Sequence, residues 1–385
     1  MAACAGLVQR ARLWNEVPHA TKTEVKLASN LRKAQRAAGI CTRAIAIASI
    51  AAFGFTVVAA AQGNAGRVAS LLSEAQQNLD AGNFAAAAAR FEEARKLAPQ
   101  NKAAWRGSLL AHLQGKQLPA AVRLGKQAVA QWPQDAEFQH LLGLAYFQSG
   151  ASDSAIPHLQ TAEKLAPGRY DILFDSALVY LSRNEYGSAA VQLEKALKVK
   201  SNEALPHLLL GRAYHNTNRT LQAVAEFKKA LQIDPRIQLA HYHLGFAYES
   251  LGRNTDAIVE FRKELSAGRP HPQVLYRLGH ALLDSGEPAE AVKHLRQSVQ
   301  LAADNAEAHY DLGKALLALG KPADAIEPLK RASALKSDDS RFPYQLARAY
   351  EKLGQKDLAQ EQWQRFATLK ASQPATGGMA HKPNQ

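Results

Sequence analysis

Thirteen histidines are the residues of this chain best suited to chemistry. Neutral imidazole ligates divalent metals, and a histidine poised near neutrality can move protons. Their spacing supports neither task. His241 and His243 lie two apart, so on a helix they leave on different faces. No two histidines are four apart, the spacing that sets a pair of ligands on one helical face. Glu92-Glu93 and Asp338-Asp339 are adjacent carboxylates, which share no substrate-facing geometry. The sequence has no G-x-S-x-G, no P-loop and no G-x-G-x-x-G. Both cysteines, Cys4 and Cys41, fall near the N-terminus, so the rest can form neither a disulfide nor a thiolate metal site. The expectation is a chain that is not an enzyme and holds no metal or cofactor.

Three of the histidines do obey a rule. His207, His241 and His309 are separated by 34 and 68 residues. The same step organises most of the chain. Counting from Val68, the twentieth position of each 34-residue unit reads Ala87, Ala121, Ala155, Ala189, Ala223, Ala257, Ala291, Ala325 and Ala359. The eighth reads Ala75, Leu109, Gly143, Ala177, Gly211, Gly245, Gly279, Gly313 and Ala347. Each unit holds two helix-length apolar patterns with a short polar break between them. Small residues at positions 8, 20 and 27 let two helices approach; large ones at 4, 7, 11 and 24 fill the space between. Proline at position 32 (Pro99, Pro133, Pro167, Pro235) ends the second helix. One such hairpin cannot bury its apolar faces alone, so neighbours must stack. The histidines at position 4 are therefore expected to pack between helices.

A 34-residue period with this signature resembles the tetratricopeptide repeat, and nine units cover 68–373. The resemblance implies an all-α, right-handed superhelical solenoid of nine helix-turn-helix repeats. It also implies a concave groove, lined by the first helices, that takes an extended peptide or a partner's helix. Positions 2, 5, 9 and 12 of each unit would face that groove. Its front half reads apolar, with Leu144, Phe174 and Leu178 among its residues. Its rear half carries a tyrosine ladder at position 5 (Tyr242, Tyr276, Tyr310, Tyr344) and Arg212, Phe246, His280, Lys314 and Arg348 at position 9. Tyrosine offers amphipathic area and the cations attract carboxylates, so an acidic or C-terminal peptide segment is the expected partner. Some family members clamp a C-terminal carboxylate with Lys at position 5 and Asn at position 9, and no unit here has that pair. Position 6 carries no asparagine ladder. Acids at position 12, Glu249 and Glu351, are three units apart and cannot act together.

Three departures from the pattern stand out. Leu109 and Gly125 exchange the small and large positions of the second unit, Glu264 takes the small position 27, and Phe366 does the same in the last unit. The first reads as a local exchange of volume and the last as a cap on the terminal repeat.

Net charge is +13, but residues 1–67 hold nine Lys/Arg against two Asp/Glu, so the repeats are only mildly basic. A nucleic-acid partner is disfavoured, and no small-molecule substrate is expected. Residues 44–64 carry no charge and follow a basic stretch, with Ala59-Ala60-Ala61 before Gln62. Residues 1–61 thus read as a basic segment with a signal peptide, or as an uncleaved membrane-anchor helix through 44–61. Residues 62–67 read as a linker and 374–385 as a disordered tail. The expected location is exported, periplasmic or extracellular, with membrane anchoring as the alternative. The expected function is a protein-binding scaffold in envelope assembly or secretion. A cytoplasmic or nucleic-acid-associated adaptor, or the repeat arm of a larger enzyme complex, are the alternatives.

Overall fold

The computed structural model describes residues 51–268 and 271–372, and every element among them is an α-helix. Each repeat supplies a first and a second helix. Unit 1 ends at Thr217 and unit 2 begins at Asn218. Unit 1 holds α1 (Ala51–Asp80), α2 (Phe84–Leu97), α3 (Lys102–Gln114), α4 (Leu118–Gln131), α5 (Ala136–Gln148), α6 (Ser152–Leu165), α7 (Tyr170–Ser182), α8 (Tyr186–Val199) and α9 (Ala204–Asn216). Unit 2 holds α10 (Thr220–Ile233), α11 (Ala240–Ser250), α12 (Asn254–Ala267), α13 (Pro272–Asp284), α14 (Pro288–Leu301), α15 (Ala306–Ala318), α16 (Pro322–Leu335), α17 (Arg341–Lys352) and α18 (Lys356–Ser372).

The small positions act where the pattern places them. All nine alanines of position 20 are buried. A Cβ added at Gly245, Gly279 or Gly313 would come within 2.8 Å of position 24 of its own repeat (Phe261, Leu295, Leu329). In the second repeat Leu109 is fully buried beside Ala121 and Leu124, and the large side chain has moved from one helix to the other.

Position 15 is a rule the apolar pattern does not reveal. Gly82, Lys116, Gly150, Asn184, Asn218, Gly252, Gly286, Gly320 and Gly354 all turn with positive φ. This left-handed residue ends the first helix and lets the second fold back. Entry into the next repeat is set by side-chain caps. Asn101, Asp135, His271 and Asn305 accept backbone N–H bonds in the first turns of α3, α5, α13 and α15. Position 4 ties the repeats together. Trp105, Gln139, His207 and His309 donate to the carbonyls of Pro99, Pro133, Ser201 and Ala303, each six residues earlier. His241 instead meets Glu260 at 2.5 Å. The position-4 histidines are thus packing residues, as their period implies.

First helices of neighbouring repeats touch one another within each unit: α1/α3, α3/α5 and α5/α7, then α11/α13, α13/α15 and α15/α17. Second helices make no comparable contact among the described residues. In each unit the first helices therefore occupy the inner, more crowded side.

α1 runs unbroken through 62–67 into the first repeat. Residues 1–50, with most of the proposed signal or anchor, and the tail from 373 lie outside the described residues. No helix among the described residues is long and apolar enough to cross a membrane. At the other end, Phe366 turns onto Tyr344 and Trp363, with centroids at 5.4 and 5.9 Å, and closes the last repeat.

Candidate functional site

Packing of first helix on first helix decides which of the expected groove residues stay exposed. In unit 1 the expected apolar row is largely consumed by the fold. Leu144 is only 2% exposed and belongs to the core with Leu109, Leu113 and Phe138, so it offers a partner nothing. Phe174 is also buried and stacks on Tyr170 at 5.8 Å. Leu178 is half-buried at the edge of that core. Arg212 is half-buried too, and burial lowers its pKa. His140 lies wholly inside, with Nε2 2.7 Å from Asp175.

Unit 2 keeps more of its face open. Tyr242 and Tyr276 are half-exposed on α11 and α13, and Tyr344 on α17 is 36% exposed. Tyr310 on α15 is buried, tilted against Phe342 at 5.2 Å. Burial raises the phenol pKa of Tyr242, Tyr276 and Tyr310, and Asp311 adds to the rise at Tyr276. All four rungs thus sit on one side of unit 2, but only three remain reachable.

Three of the four rungs already carry a cation of the protein's own. Arg277 lies 4.3 Å from the Phe246 ring centroid and 5.6 Å from that of Tyr276. Lys314 and Arg341 lie 5.5 and 5.1 Å from Tyr310, and Arg348 lies 5.8 Å from Tyr344. These contacts stabilise both partners.

Carboxylates then take up most of those charges. Arg277 donates to Glu249 at 3.2 Å, His280 Nδ1 meets Asp311 at 2.7 Å, and Lys314 is 3.9 Å from the same Asp311. Arg341 bonds Glu307 at 2.8 Å and Asp339 at 2.6 Å. Burial raises the Glu249 pKa against the pull of Arg277. The Asp311 hydrogen bond raises that of His280. Among the position-9 residues Arg348 alone is exposed, with a long 3.5 Å bond to Gln345.

The sequence reading placed the tyrosines and cations on one face but missed the residues that neutralise them. Arg277 and Asp311 sit at position 6, Glu249 at position 12 and Asp284 at position 13. Glu249 does pair, not with Glu351 but with Arg277 one repeat on. The missed signal was the offset: position 12 of one repeat meets position 6 of the next, and so does position 9. Among the described residues no group of His, Cys, Asp and Glu is arranged to hold a metal.

Comparison with known proteins agrees with the repeat geometry. A tetratricopeptide repeat model matches residues 72–136, 140–207 and 276–340, and related repeat models match 213–252 and 344–369. A BBSome complex member, the BBS4 homolog of Drosophila melanogaster, is 30% identical over 79 residues, which is 20% of this chain and 16% of that protein. The Cut9–Hcn1 hetero-tetramer of the APC/C is 18% identical with a TM-score of 0.49, over 69% of this chain and 52% of that one. YrrB, described as a TPR protein with an unusual peptide-binding site, is 22% identical with a TM-score of 0.45, over 48% of this chain and 94% of YrrB. MamA is 24% identical with a TM-score of 0.42, over 47% of this chain and 98% of MamA. The chain thus spans about half of the Cut9–Hcn1 chain and a small part of the BBS4 homolog. With repeat models matched along most of the helical array, the chain belongs to the tetratricopeptide repeat family, whose fold marks it as a protein–protein interaction scaffold.

Proposed function

We propose that this chain is a non-enzymatic scaffold that holds an extended segment of a partner protein along the first-helix side of unit 2. The observation that carries the reading is the pair Tyr242 and Tyr276. They occupy the same position of adjacent repeats, on touching helices, and both remain half-exposed on the face of unit 2 that packing leaves open. Aromatic side chains of this kind supply large contact area at low cost in side-chain entropy. The uncharged run before the repeats favours an exported or membrane-anchored setting, hence a role in envelope assembly or secretion.

The test uses a photo-crosslinking residue at Gln273, beside Tyr276, in the full chain expressed in its own cell. Crosslinked partner should fall at least tenfold when Tyr242 and Tyr276 are both alanine, with helical content unchanged by circular dichroism. Undiminished crosslinking would reject this face. Tyr310 is left alone because it is part of the core. N-terminal sequencing of the same material tests the location: a chain beginning near Gln62 in the soluble envelope fraction supports export, and an intact N-terminus in the cytosol rejects it.

A further inference from the structure

His280 sits among three carboxylates from three successive first helices. Nδ1 is 2.7 Å from Asp311 on α15, while Nε2 is 3.5 Å from Asp284 on its own helix and 3.7 Å from Glu249 on α11. Helices α11, α13 and α15 carry two Lys/Arg, Arg277 and Lys314, against four Asp/Glu: Glu249, Asp284, Glu307 and Asp311. Arg341 of α17 takes up Glu307. Three carboxylates then face two fixed cations, and His280 decides the balance. With the imidazole charged the cluster is neutral; with it uncharged one negative charge is left over.

The other helices packed on α13 do not change this count. On α12, Glu260 is bound by His241 and Lys263, Glu264 by the amides of Leu239 and Tyr242, and Asp256 by Arg253. Arg262 of α12 and His294 of α14 both meet Glu290, and the remaining cations of α14, Lys293 and Arg296, are exposed to solvent.

We propose that the Tyr242–Tyr276 face of α11, α13 and α15 is a proton-gated docking surface for an extended segment bearing a lysine or arginine. This rests on the groove reading above and replaces the acidic segment that the row of position-9 cations suggests. Charge complementarity carries it: the surplus is one carboxylate. Asp284 is 46% exposed and sits beside Nε2 of His280, where an incoming cation can reach it. Arg277 shows how the face treats a cation, seating a guanidinium over Phe246 and against Glu249. The tyrosines beside it give the stem of such a side chain an apolar and π-rich bed.

The proton on His280 and the partner's cation then compete for the same carboxylates. The Asp311 hydrogen bond and the carboxylates around it raise the His280 pKa above its ordinary value, bringing the competition towards neutral pH. Binding strengthens as pH rises through that pKa and weakens below it.

The test is fluorescence anisotropy on the full-length chain with three labelled twelve-residue peptides. They share a Ser/Leu/Tyr backbone and carry two arginines, two glutamates or no charge. The arginine peptide should bind tightest at pH 8.5 and about three- to fivefold more weakly at pH 6, the range of one partly exposed charge pair. Asp284→Asn should lower its affinity at pH 8.5 by a similar factor, and His280→Gln should make affinity alike at the two pH values. Tighter binding of the glutamate peptide, or a wild-type affinity indifferent to pH, overturns the inference and leaves the groove reading standing. Arginine-peptide binding unaffected by Asp284→Asn also overturns it, by placing the peptide elsewhere. Binding of none of the three removes the groove reading and this inference with it.

Discussion

His140 Nε2 and Asp175 Oδ2 stand 2.7 Å apart, both side chains almost wholly buried, across the contact between α5 and α7. The bond joins the third repeat to the fourth through position 6 of the latter. Position 6 of the eighth repeat, Asp311, receives His280 in the same way at 2.7 Å. The two sites differ in exposure, since His280 remains 29% exposed and His140 does not. The first is a structural tie and the second borders a surface.

Removing Asp175 takes the short contact from a buried imidazole and leaves it only Asp171, 3.7 Å from Nδ1. Asp175→Ala should cost about 3 kcal/mol. Because loss is confined to neighbouring repeats, the readout is hydrogen exchange of the α5 and α7 amides, not a global melt. The double variant His140→Leu/Asp175→Leu should recover much of that loss, since an apolar pair needs no compensation. Unchanged protection in the single variant would show that the pair contributes nothing.

Glu264 answers a local defect. Ile237 stands where other repeats place a capping side chain, and Leu239 enters α11 with φ of 61°. Glu264 Oε1 accepts from Leu239 N at 2.9 Å, and Oε2 from Tyr242 N at 3.3 Å. The cap thus arrives from α12 instead of the loop, which is why a carboxylate takes a position that is small in every other repeat but the last. Glu264→Ala should cost about 1 kcal/mol, as loss of a helix cap does. Amide exchange at Leu239 and Tyr242 should rise while α15 stays protected.

Lys116 holds the left-handed position that glycine fills in six of the nine repeats. A side chain there costs about 1 kcal/mol or more. Lys116→Gly should therefore stabilise unit 1 by about that amount, seen as slower exchange in α3 and α4. Gly286→Ala should do the reverse in unit 2, although no atom lies within 4 Å of the added methyl, because its φ is +80°.

Much of this architecture was legible in the chain, and the limits have a physical cause. Ala257 and Gly279 report their surroundings directly, since only small residues fit where two helices touch. His207 and His309 were readable as packing residues from their period. The turn at position 15 escaped notice because lysine and asparagine stand in for glycine at three sites, hiding a backbone rule under varied side chains. The face of unit 2 was misjudged for another reason. Arg277, Glu249 and Asp311 look like scattered surface charges until the offset between neighbouring first helices brings them together. Leu144 failed because a position that faces the groove in one repeat can be drawn into the core by its neighbours, here Leu109 and Leu113 of the preceding repeat.

The contact between positions 8 and 24 allows the most direct test of the packing logic. In the seventh repeat a Cβ on Gly279 would stand 2.5 Å from Leu295 Cγ, so Gly279→Leu should overpack the hairpin by about 1–3 kcal/mol or more. The second repeat already carries the reverse arrangement, with Leu109 buried at position 8 and Gly125 at position 24. Gly279→Leu combined with Leu295→Gly should therefore regain a large part of the loss, even though Leu295→Gly alone empties a core site and adds a helical glycine. Strong coupling between the two changes, read from exchange in α13 and α14, is the expected result. Additive losses would mean that the second repeat tolerates its exchange only through neighbours such as Phe91 and Leu142, which crowd Gly107 and Gly125 there.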